Sequence, residues 1–186
     1  RPQLEIIYRV GSKKLGFIES LSTIIGEHDS ELKQNSLQVL LLLSRYEVNE
    51  IRMCEPKVAL MPSLMDIILS EPSSPNAITA LKIIHNVATV EANQPVLGAD
   101  SLGLVNLLKS LISREKGEVR LMALGALSVL AHHTSNQASM GRGGLELIET
   151  LVGIVMENDT KARMAALNVI WLLSRNDMNK RRLGLQ

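Results

Sequence analysis

ALKIIHNVATVEANQPVLGAD (residues 80–100) and ALGALSVLAHHTSNQASMGRG (residues 123–143) carry one pattern twice. An apolar run closes on Ala88 or Ala131, and an asparagine stands five residues on, at Asn93 or Asn136. Leu97 or Met140 follows four residues later, with Gly98 or Gly141 directly behind it. The same order recurs as Ser44, Asn49, Met53, Cys54 and as Ser174, Asn179, Leu183, Gly184. The asparagines are 44, 43 and 43 residues apart. Such a period is the signature of a repeat architecture. With Val10-Gly11 one period earlier, four units run over 11–53, 54–97, 98–140 and 141–184.

Six columns per unit can be counted from the small residue. They hold Leu15, Val58, Leu102, Leu145; Phe17, Leu60, Leu104, Leu147; Ile18, Met61, Val105, Ile148; Leu21, Leu64, Leu108, Leu151; Ile24, Ile67, Leu111, Ile154; and Ile25, Ile68, Ile112, Val155. All 24 places are apolar. Late columns three and four residues apart describe one stripe of a helix. Breaker segments follow at 26–30, 70–74, 113–117 and 157–160. Asp29 or Ser30, Ser74 before Pro75, and Asp159 or Thr160 supply helix-start chemistry there. A longer helix then ends in LQVLLLLS, LKIIHNVA, LGALSVLA or LNVIWLLS. Its matched leucines are Leu37, Leu81, Leu124 and Leu167. Ser36, Ala80, Ala123 and Ala166 precede them, small enough for close helix approach. No unit can bury its stripe alone, so the units stack into a continuous core. A short helix near each asparagine favours three helices per unit over the two of HEAT repeats. The fold class is all-α: a right-handed superhelical solenoid of four repeats, one domain over 1–186.

Composition agrees. Hydrophobic residues make up 46% of the 186 residues but aromatic ones only 2%, which suits helix-on-helix packing better than a sheet core. A net charge of +1 gives no broad field for nucleic acid or membrane. The apolar stretch LMALGALSVLA, 121–131, is far short of the ~20 residues of a membrane span. The lone Cys54 can form no internal disulfide and fits a reducing compartment, cytoplasmic or nuclear. LNVIWLLS has no following apolar stripe to cover it, so the protein is expected to continue beyond Gln186. LEIIYRV at 4–10 is a candidate partial cap.

These residues resemble the armadillo repeat family over essentially the whole chain. The resemblance implies a scaffold that binds a peptide or helical segment of a partner along a concave groove lined by the third helices. It implies no cofactor and no small-molecule substrate. Importin-like members carry asparagine and tryptophan ladders on that groove. Here the asparagine place holds Leu42, Asn86, Val129 and Leu172, and the tryptophan place Gln38, Lys82, Gly125 and Asn168. Only Asn86 matches, which speaks against a polybasic cargo, as does Lys82. The candidate partner-binding residues are Gln38, Leu42, Lys82, His85, Asn86, Met122, Val129, Asn168, Trp171 and Leu172. An amphipathic helix or apolar-anchored strand suits them, with Trp171 the candidate anchor. The alternatives are a regulatory armadillo segment of a ubiquitin ligase or chaperone cofactor, or a structural spacer.

The chemical motifs read as structure. His28-Asp29-Ser30 cannot converge as a triad from adjacent positions. His132-His133 point about 100° apart on a helix, a poor metal pair, and suit a helix C-terminus instead. Cys54 takes the place of a packing glycine. Gly141-Arg142-Gly143-Gly144 could cradle a phosphate, but the repeat already explains a junction there. Lys13-Lys14 and Lys180-Arg181-Arg182 read as solvated turns. The asparagines at 49, 93, 136 and 179 read as caps of loose backbone groups. No catalytic or metal-ligating constellation emerges.

Overall fold

A computed structural model describes residues 15–142 and 145–184. Val10-Gly11, the 4–10 segment, Lys13-Lys14 and Gly143-Gly144 lie outside the described residues. Every regular element among the described residues is a helix. They run α1 Phe17–Ile24, α2 Ser30–Leu43, α3 Glu47–Met53, α4 Leu60–Ser70, α5 Pro75–Thr89, α6 Gln94–Leu97, α7 Leu104–Arg114, α8 Gly117–Leu130, α9 Thr134–Met140, α10 Leu147–Val155, α11 Thr160–Leu173 and α12 Asp177–Arg182. Short 3₁₀ turns at Pro56–Val58 and Glu91–Asn93 complete the series. Medium, long and short helices thus follow one another four times. The short helix surrounds its asparagine at 49, 136 and 179, whereas Asn93 closes a 3₁₀ turn before α6.

The long helices begin where the breakers predict. Asp29 accepts from the N–H groups of Glu31 and Leu32, Ser74 from Ala77, and Asp159 from Lys161 and Ala162. Each satisfies donors that a helix start leaves open. The medium helices begin on a left-handed corner instead: Gly16, Ala59, Gly103 and Glu146 have φ of 60°, 54°, 76° and 55°. Two of these corners are not glycine, so side-chain strain is accepted there to turn the chain into the helix.

The chain divides into two compact units, residues 1–93 and 94–186. In the first, α1 packs on α2 and α4, α4 on α5, and α5 on α2 and α3. In the second, α7 packs on α8 and α10, α11 on α8, α9 and α10, and the short helices α6, α9 and α12 stack in sequence. Of the 24 apolar column residues, only Leu15 is exposed. Ser36, Ala80, Ala123 and Ala166 are all buried, as the close approach of helices requires.

The recurring asparagines are buried latches. Asn49 Nδ2 donates to Leu43 O at 3.1 Å, in the last turn of its own long helix. Asn93 Nδ2 donates to Val87 O at 2.9 Å and to Glu50 O, one period back, at 3.1 Å. Asn136 holds Leu130 O at 3.0 Å and Gln94 O at 2.8 Å; Asn179 holds Leu173 O at 3.0 Å and Gln137 O at 2.7 Å. One amide therefore closes a helix end and ties it to the repeat before. The glycine column serves the same latch: a Cβ on Gly98 would collide with the Asn136 amide, and one on Gly141 with that of Asn179.

Candidate peptide-binding surface

In the first unit the exposed faces of α2 and α5 lie side by side. Gln38 and Leu42 are exposed on α2, while Lys82, His85 and Asn86 are half-buried on α5. Asn86 Nδ2 donates to Ser44 Oγ at 2.9 Å across the two helices. In the second unit α8 and α11 repeat the arrangement. Met122 and Val129 are half-buried, Asn168 is exposed, and Asn168 Nδ2 donates to Ser128 Oγ at 2.7 Å. Trp171 is 61% exposed. The two serines were not in the expected set. Ser44 marks only a helix end in sequence, and nothing there shows that an amide of the next repeat reaches it.

One expected residue is misplaced. Leu172 is 1% exposed and cannot contact a partner. Its column faces the preceding long helix, as the Asn86–Ser44 bond shows for the same register. In α11 that side closes on α8.

Several charged and reactive groups outside this set have structural employment. Asp29 is a cap. His132 and His133 place their Nδ1 atoms 2.9 Å from Ser128 O and 2.7 Å from Ser135 Oγ. Cys54 is buried, and burial pushes its thiol up to about 11, out of the thiolate range at neutral pH. Arg142 pairs with Asp100 at 3.0 Å, and Lys180 with Asp177 at 2.8 Å. Arg182 reaches Gly141 O at 2.6 Å and the Glu149 carboxylate. Arg120, 1% exposed, donates from Nε to Glu115 O at 2.8 Å and from a terminal nitrogen to Glu157 at 2.6 Å. Lys116 joins the same carboxylate at 2.7 Å, and the two cations hold Glu157 below its ordinary value. Among the described residues, no group of three His, Cys, Asp or Glu could hold a metal ion. No helix among them is long and apolar enough to cross a membrane.

Known structures share this fold. A designed armadillo repeat protein in complex with the peptide (KR)4 superposes with a TM-score of 0.77 at 14% identity, over 97% of this chain and 78% of that one. The fold is that of armadillo repeats. The armadillo-repeats-only protein of Plasmodium falciparum gives a TM-score of 0.70 at 13% identity, over 90% of this chain and 77% of that one. An engineered protein gives 0.72 at 16% identity over 87% of this chain, which spans 38% of that protein's length. No family profile matches the sequence, and no curated protein matches it either. In this armadillo fold the third, long helices of the repeats are α2, α5, α8 and α11, the ones that carry the candidate surface.

Proposed function

We propose that this chain is a protein-interaction scaffold that holds a peptide or helical segment of a partner on the surface of its long helices. The observation that carries the reading is the alternation of apolar and amide groups left open there: Leu42 at 53% and Trp171 at 61% exposure, beside the amides of Asn86 and Asn168. Large apolar side chains in water are costly, and aromatic ones often anchor interfaces. The amides can pair with an incoming backbone. The designed neighbour's peptide complex supports the reading by analogy. The role is binding rather than catalysis, in the cytoplasm or nucleus, where a lone thiol stays reduced.

The test is partner capture from a cell lysate with wild type and a Leu42→Ser, Asn168→Ala, Trp171→Ala variant of matched helicity and melting. Selective loss of one captured protein from the variant supports the proposal. Unchanged capture refutes it, because none of the three side chains would then touch the partner.

A further inference from the structure

Each long helix has an outward stripe, at positions 34, 38, 41 and 45; 78, 82, 85 and 89; 121, 125, 128 and 132; or 164, 168, 171 and 175. None of these sixteen residues is buried, and none is Asp or Glu. Yet the chain holds 19 carboxylate side chains, nearly matching its 20 Lys and Arg. Glu31 and Glu118 are the only acids in the long helices, and both sit in first turns. Beyond those turns the charged residues of these stripes are Arg45 and Lys82 in the first unit and Arg175 in the second. Leu42 stands three residues before Arg45, and Trp171 four before Arg175.

We infer that the segment held on this surface is acidic, with Asp or Glu side chains flanking an apolar anchor. This rests on the proposed function and names the chemistry of its partner. Arg45 and Arg175 stand just past helix C-termini, where the macrodipole already favours cations, so they are stable there without a partner. A carboxylate brought there would meet guanidinium groups, whose planar fork of donors can form paired hydrogen bonds with it. A basic segment would meet like charge on either unit, which costs affinity and association rate. The spacing of apolar side chains between the cations separates this surface from the continuous basic stripe that nucleic acid needs.

The experiment selects random displayed peptides on the full chain and measures the enriched ones by fluorescence anisotropy. The expected peptides carry net negative charge around an apolar residue. Their affinity should fall ~tenfold or more in an Arg45→Glu, Arg175→Glu variant at low salt, with the gap narrowing as salt screens it. Lysine-for-acid versions of the same peptides should bind wild type worse and the variant better. Enrichment of basic or neutral peptides, or affinities indifferent to both charge swaps, overturns the inference while Trp171→Ala and Leu42→Ser sensitivity keeps the scaffold reading. Peptides insensitive to all four substitutions, or no enrichment at all, overturn both. Displacement by a single-stranded polynucleotide that binds Trp171→Ala as well as wild type overturns the inference in favour of a nucleic-acid surface.

Discussion

Replacing Asn136 with Ala should destabilise the protein by ~2–3 kcal/mol, and the structure says how that sum arises. The side chain is 2% exposed and its amide donates twice, to Gln94 O at 2.8 Å and Leu130 O at 3.0 Å. Each lost bond is worth ~1 kcal/mol net, and more where an acceptor is orphaned. Neither carbonyl is fully orphaned here, because Gln94 O still accepts from Gly98 N at 2.8 Å and Leu130 O from His133 N at 3.3 Å. The missing amide atoms leave a small void, which adds some tenths to ~1 kcal/mol. Asn136→Asp should cost more than Ala, since it aims a carboxylate at two carbonyl oxygens. The sharper assay is a cycle with Gly98→Ala. Alone, that substitution drives a Cβ into the Asn136 amide and should cost ~1–3 kcal/mol. With Asn136→Ala in place, the collision is gone. The double variant should therefore be more stable than the sum of the single losses by at least ~1 kcal/mol. Urea unfolding followed by circular dichroism measures all four corners. A loss under ~0.5 kcal/mol for Asn136→Ala, or additive single losses, would refute the latch.

Three further outcomes follow from the same geometry. Glu157 has a depressed folded-state value, so its contribution is present above the ordinary 4.5 and is lost as pH falls through the folded one. Glu157→Gln should be less stable than wild type at neutral pH, leave Arg120 buried without its anion, and converge on wild type in acid; a gap that persists at low pH in thermal melts contradicts this. Ala59→Gly and Glu146→Gly should each stabilise by ~0.5–1 kcal/mol, because relief of the left-handed corner exceeds the added freedom of the unfolded chain; a loss on denaturant unfolding would show that the corners carry no strain. Native Cys54 should resist alkylation at pH 8 and react at once in denaturant, since its thiol is pushed up to about 11 and shielded; rapid native labelling would overturn the packing role.

Much of this fold is legible in the sequence because repetition averages out local accident. The columns of Ile18, Leu21 and Ile25 recur with apolar residues in every unit, and their burial follows directly. The latch asparagines and their glycines are legible for the same reason: a buried amide and a close approach leave few alternatives. The left-handed corners are not, since Ala59 and Glu146 occupy places where Gly16 and Gly103 would have announced a turn. The surface is harder again. Leu42 and Leu172 share a column, yet one is 53% exposed and the other 1%. A column fixes which way a side chain points; what stands in front of it depends on the neighbouring helix, and that is a tertiary property.

The two sets of asparagines separate on this same point. An amide has two N–H donors and one carbonyl acceptor. Asn93, Asn136 and Asn179 each direct Nδ2 at two backbone carbonyls and are nearly inaccessible, so their donors are committed to holding repeats together. Asn86 and Asn168 each donate to one serine hydroxyl and remain half-buried or exposed. The serine fixes the amide's orientation while leaving a donor and an acceptor to offer. Ser44 is itself held, since its hydroxyl donates to Leu41 O at 3.0 Å while accepting from Asn86. A preoriented amide loses less freedom on binding than a loose one, so the internal bond that holds Asn86 and Asn168 would also make them effective in recognition. Breaking that bond alone, with Ser128→Ala, should therefore weaken peptide affinity while leaving the latches and the fold intact; Ser44→Ala would also remove the hydroxyl's bond to Leu41 O at 3.0 Å.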